Sequence, residues 1–156
     1  MTNSISPETQ LDDFIDKFSP EIAAKARAII CKMRELLPGA NELVYDNYNA
    51  LAIGFCPTEK TSDTIFSIAL FPRWVSLFFY YGVGLPDPEG LLKGSGNQVR
   101  HIVLQGPEVL DQPVLRTLMR DALDRAGDPI DPSGPGKLII KSISAKQRPR
   151  RPSGSK

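Results

Sequence analysis

The residues best suited to chemistry lie in one run, LLKGSGNQVRHIVL, residues 91–104. Gly94 and Gly96 would let backbone N–H groups approach an anion closely. Lys93 adds charge, and Arg100 adds a planar fork of donors. His101 is the chain's single histidine. The run has two readings, an anion-binding loop or a tight turn leading into a strand. Phosphate loops of nucleotide folds follow a strand and open a helix, whereas these glycines precede the strand-like QVRHIVL, and no GxxxxGK[ST] occurs. Alternation puts Arg100 and His101 on opposite faces of that strand, so they are not expected to act as a pair. No second element fixes a partner for a Ser–His–Asp or Cys–His set, and no catalytic residue is assigned.

Two further clusters are candidates. YDNYNAL mixes rings and amides at a strand–turn–strand junction, where Tyr45, Asn47 and Tyr48 could line a polar pocket with Arg73 and Trp74 of a neighbouring hairpin. The plainer reading is turn chemistry and packing. Asp12, Asp13 and Asp16, with Glu8 and Glu21, form an acidic ridge on the outer side of the first helix. Its carboxylates could collect iron or another hard cation, or could simply face solvent.

These side chains must be positioned by a chain of 156 residues, long enough for one domain with its own core. Residues 1–136 hold all eighteen acidic groups against twelve lysines and arginines, a net charge of −6. Residues 137–156 hold seven basic groups and no acid, +7. Cys31 and Cys56 are far apart and lack CxxC spacing, so buried free thiols are expected. The first residues carry neither a basic nor an apolar leader segment. The most apolar run, VSLFFYYGVGL, falls short of the ~20 residues of a membrane helix. A cytoplasmic protein away from the membrane is expected.

Ser6-Pro7-Glu8 and Ser19-Pro20-Glu21 are repeated helix-start signals. The first precedes Leu11, Phe14, Ile15 and Phe18. The second precedes a longer stripe from Ile22 to Leu37, stopped by Pro38-Gly39. ELVYDNY, ALAIGF, TIFSIALF, VSLFFYYG and QVRHIVL then read as short strands, with a hairpin at Pro72-Arg73-Trp74. A third helix is expected from a cap at Asp111, with Leu115, Leu118, Met119 and Leu123 inward. Arg120–Asp124 and Asp121–Arg125 have the i,i+4 spacing of surface ion pairs. Short connections favour antiparallel pairing. The expected class is α+β: a sheet of about five strands covered by two N-terminal helices and one C-terminal helix over residues 1–126. Residues 127–143 would be a linker and possible clip, with KLIIKSIS either a short strand or a clip. Residues 144–156 would be a disordered basic tail, a solubilising segment or a contact for nucleic acid.

The order of these motifs resembles the YdhG-like family of small bacterial domains of unknown function. The likeness covers roughly residues 10–125. It rests on the helix pair, ELLPGANELVYDNYNALAIGF, SIALFPRWVSLFFYYG, LLKGSGNQVRHIVL and LDQPVLRTLMRDAL. It implies an α+β fold with a curved antiparallel sheet. One branch of the family is linked to frataxin-like iron carriage. Many members have an "isYgmPaf"-like segment where this chain has LVYDNYNAL; Tyr45 matches, but the proline and the glycine-methionine do not. LKGSG and Arg100 match better. The resulting expectation is a non-enzymatic binding module for a polar or anionic small ligand or a protein partner. Its site would lie where the 82–97 loop meets Tyr45–Tyr48. No cofactor is expected; the alternative is an iron chaperone using Asp12, Asp13 and Asp16.

Overall fold

The chain is α+β in a computed structural model that describes residues 5–152. Helices α1 (Pro7–Asp16) and α2 (Pro20–Leu36) each begin with proline. Ser6 and Ser19 cap them, their side-chain oxygens accepting from the N–H groups of Thr9 and Ile22. These caps satisfy donors that a helix start would otherwise leave open. Strands β1 (Asn41–Asp46), β2 (Leu51–Cys56), β3 (Phe66–Leu70), β4 (Val75–Phe79) and β5 (Arg100–Leu104) form an antiparallel meander. Helix α3 (Pro113–Arg125) follows, and a sixth strand, β6 (Leu138–Ile143), closes the order β5-β4-β3-β2-β1-β6.

The sheet is therefore mixed and one strand larger than expected. KLIIKSIS pairs parallel to β1, with a register shift between Val44 and Tyr45. Parallel pairing is possible here because a long crossover containing α3 separates β5 from β6.

Strand alternation explains the core. Val44, Ile53, Ile68 and Leu77 share one row across the sheet, and Leu51, Leu70, Val75 and Leu104 share another. All are buried, and they pack against Leu11, Phe14, Ile15, Ile29, Ile30 and Met33 of the first two helices and Leu115 and Leu118 of α3. Each such side chain contributes about 1.5–3 kcal/mol on burial. The reverse face carries Gly54, Ser67, Ala69, Ser76, Phe78 and His101. Residues 57–64 fold beneath part of it: Thr64 Cγ2 lies 3.1 Å from where a Cβ on Gly54 would stand. No helix among the described residues is long and apolar enough to cross a membrane.

Residues 144–152 depart from the expected disorder. They continue past β6 along the β1–β2 turn, where Ser144 N–H donates to Asp46 O (2.8 Å) and Arg148 N–H to Tyr48 O (2.9 Å). Arg150 is buried. The physical reason is Asp46, whose position on the core face leaves its carboxylate without exposure. A buried carboxylate requires a partner, and the guanidinium of Arg150 meets it at 2.8 Å. Residues 153–156 lie outside the described residues.

Candidate functional site

The glycine loop is closed by its own arginine. Arg100 Nη1 donates to Gly96 O (2.7 Å) and Val99 O (2.8 Å). Gly82 lies so close that an added Cβ would stand 2.7 Å from Arg100 Cβ. Lys93 exchanges two backbone hydrogen bonds with His101, at 2.8 and 2.9 Å, so the loop doubles back along β5 and covers the sheet edge. Gly94 makes this reversal with φ +127°, a conformation that favours glycine. One nitrogen of the fork assigned to an anion, Nη1, is thus engaged by carbonyls of the loop itself. Arg100 and His101 do lie on opposite faces, and the His101 ring rests 5.1 Å from that of Phe78.

The expected site is not assembled. Lys93, Gly94, Gly96 and Arg100 lie beside Phe79 at one end of the sheet. The turn carrying Asn47 and Tyr48 follows Asp46 at the other end. The two are also four strand spacings apart, about 19 Å. Tyr45 points to the reverse face, where its hydroxyl meets that of Thr61. Arg73 and Trp74 do lie at the same end as Asn47 and Tyr48, and Trp74 stacks on Phe71 with ring centroids 5.0 Å apart. The groove beside them is completed by Arg148, Pro149, Arg151 and Pro152 of the C-terminal segment, not by the glycine loop.

Part of the acidic ridge is paired internally. Arg27 Nη2 bonds Asp12 Oδ1 and Asp16 Oδ1, both at 2.8 Å. These hydrogen bonds, that to Asp16 first, raise the Arg27 pKa above its ordinary value. Asp12 and Asp16 therefore point at one guanidinium and leave Asp13 alone. No group of three or more His, Cys, Asp or Glu suited to a metal ion occurs among the described residues. Glu8, also part of the ridge, shares Arg34 with the buried Glu42, at 2.9 Å and 2.7 Å. The hydrogen bonds to Glu42 are the chief cause of a raised Arg34 pKa.

A cleft of about 500 Å³ lies elsewhere, at the sheet end that carries the β2–β3 connection. Ser62, Asp63 and Thr64 form one wall, Tyr81 and Val83 a second, and Arg125 with Gly127 and Asp128 at the end of α3 a third. Ile65, Ala122 and Ala126 make it partly apolar. The Tyr81 hydroxyl donates to Ser62 O at 2.6 Å, tying two walls together. Asp63 is held from behind, its Oδ2 accepting from the Thr58 hydroxyl at 2.8 Å. Burial raises the pKa of the adjacent Tyr80.

Arg125 is the arginine of this cleft. The i,i+4 spacing suggested a pair with Asp121, but Arg125 has no carboxylate partner among the described residues. It reaches instead over the backbone at Gly84, where Nη2 lies 3.1 Å from the place of a Cβ. Its donors remain available to the cleft. No family model, curated protein or solved structure matches the chain.

Sequence reasoning missed this cleft, although a signal existed. Ser62-Asp63-Thr64 and Arg125-Ala126-Gly127-Asp128 are polar runs at element ends, where binding groups concentrate. Asp111 was also misassigned as a helix cap. Gln112 occupies that position, and Asp111 instead pairs with Lys32 (2.8 Å) and Arg116 (2.6 Å).

Proposed function

We propose that the protein is a non-enzymatic binding module for a small polar ligand bearing an anionic group, taken up in the cleft beside Arg125. The carrying observation is an arginine without a carboxylate partner on a mixed cleft of about 500 Å³, a size within the range of small-molecule sites. The guanidinium would take a carboxylate or phosphate bidentately. Ser62 would offer a hydroxyl, and Asp63 and Asp128 would accept from ligand hydroxyls or amines. Ile65, Ala122 and Ala126 would cover an apolar stem.

The kinship with YdhG-like domains suggested by motif order belongs to the same proposal, as does a cytoplasmic setting, where two free thiols would persist. Iron carriage by the acidic helix finds no support in the geometry, because Arg27 already occupies two of its three central carboxylates.

The test is calorimetric titration of the full chain with inorganic phosphate, succinate and glycerol phosphate. At least one should bind, and Arg125→Gln should weaken it at least tenfold while leaving the melting temperature within about 1 °C, since an exposed unpaired side chain contributes little to stability. Absence of binding by all three, or binding unchanged in Arg125→Gln, would refute the reading.

A further inference from the structure

A groove of about 530 Å³ lies at the sheet end opposite the Arg125 cleft. Phe71, Arg73 and Trp74 of the β3–β4 turn line it together with Arg148 and Arg151 of the C-terminal segment. Residues 137–156 carry a charge of +7 and contain no aromatic residue, so charge is their only means of holding a polyanion. The fold supplies the missing ring. It sets Trp74, 41% exposed and the chain's single tryptophan, beside these arginines. Phe71 backs the indole, the ring planes inclined by 23°, so the indole is held in place while much of it stays open. Tyr48, exposed in the neighbouring β1–β2 turn, offers a second ring at the same end.

The arginines are also held in place without being neutralised. Buried Arg150, bonded to Asp46, and the Arg148 N–H, bonded to Tyr48 O at 2.9 Å, fix the backbone that presents them. Arg151 donates only to backbone carbonyls, those of Lys17 (3.2 Å) and Asp16 (3.4 Å). Arg73, Arg148 and Arg151 are exposed, and none meets a carboxylate among the described residues. The acids this segment touches are engaged elsewhere: Asp46 by Arg150 and Lys17, and Asp16 by Arg27. No acidic residue lines the groove among the described residues. Fixed guanidinium groups around an open indole match a ligand that alternates phosphates with planar bases. A duplex hides its base faces in its own stack, and an acidic peptide has none, so either would use the charge alone.

We propose that this groove binds single-stranded nucleic acid, with a base stacked on Trp74 and the neighbouring phosphates paired with Arg73, Arg148 and Arg151. The site is separate from the Arg125 cleft and does not depend on what that cleft holds.

The experiment titrates the full chain with an oligothymidylate of about 12 nucleotides. It follows the emission of Trp74, which reports on the groove alone because no other tryptophan is present. The emission should be quenched saturably. Three phosphate contacts on a single strand give a slope of about −2 for log affinity against log salt, roughly a 20-fold loss between about 50 and 200 mM. Anisotropy of the labelled strand should show Trp74→Ala binding at least fivefold more weakly, and Arg148→Gln a slope shallower by about 0.7. A duplex of equal length and polyglutamate should each bind at least fivefold more weakly than the single strand. Equal binding of either competitor, unchanged binding by Trp74→Ala, or binding that leaves the emission unaltered overturns the proposal. So does a lack of binding at the lower salt. If Trp74→Ala does not fold, the wild type decides. Saturable, salt-dependent quenching by the single strand, and not by the duplex or polyglutamate, supports the stacking site; any other pattern overturns it.

Discussion

Arg100→Ala separates the two readings of the glycine loop. The side chain donates to two loop carbonyls, at 2.7 and 2.8 Å, each worth about 1 kcal/mol net. Its removal should therefore cost about 2 kcal/mol. Unfolding entropy of about 2.1 cal/mol/K per residue gives about 0.33 kcal/mol/K for a chain of this size, so the melting temperature should fall by about 6 °C. Differential scanning calorimetry measures the stability change. Amide exchange should show the faster opening concentrated in residues 82–99, whose closure depends on this side chain. An anion-binding arginine would behave in the opposite way. Its loss would leave the melt unchanged and abolish phosphate binding, and lysine would restore part of that binding. Melting of Arg100→Ala within about 1 °C of the wild type would refute the structural assignment.

Two shorter predictions concern titration and thiol access. Hydrogen bonding from Lys32, the largest cause, and pairing with Arg116 lower the Asp111 pKa below its ordinary value of 3.8. A depressed carboxylate stabilises the fold above its unfolded pKa and loses that contribution as pH falls through the folded one. The stability difference between wild type and Asp111→Asn should therefore be constant near neutrality and disappear only below that ordinary value. A difference that vanished between about pH 6 and 5 would exclude Asp111 as its source. The two thiols, both expected to be buried, differ in the structure: Cys31 is exposed and Cys56 buried, the latter with its sulfur donating to Lys60 O at 3.2 Å. A thiol reagent should label Cys31 rapidly in the native protein and Cys56 only on unfolding, as mass spectrometry of the labelled peptides would show. Equal rates at both sites would contradict this packing.

The helices were legible because each begins with a local Ser-Pro-Glu signal, and β1–β5 because apolar residues alternate where one sheet face is buried. β6 was harder to read. Leu138-Ile139-Ile140 does not alternate, and its pairing with β1 shifts register at Val44/Tyr45. The tail was misread because composition registers arginine as solvated, whereas Arg150 serves an acid 104 positions earlier. Half of that pair was visible: Asp46 shares the parity of Val44, which places it on the core face, but nothing local names its partner.

The separation of the expected site residues is of another kind, since connectivity already points to it. In an antiparallel meander successive connections fall at alternate ends of the sheet. The β1–β2 turn with Asn47 and Tyr48 and the β3–β4 turn with Arg73 and Trp74 must share one end, as they do. The β2–β3 and β4–β5 connections must share the other. Strand parity thus roots the 82–97 loop at the end opposite Tyr48, and the loop stays at its own edge, doubling back along β5. Parity permits a pocket between residues 62–65 and Tyr81–Val83, where the cleft lies. Arg125 could not have been added by parity, because the course of α3 depends on packing. Once Leu115, Leu118 and Met119 are buried against the core, the last turn of α3 reaches that same end and brings an unpaired guanidinium to it.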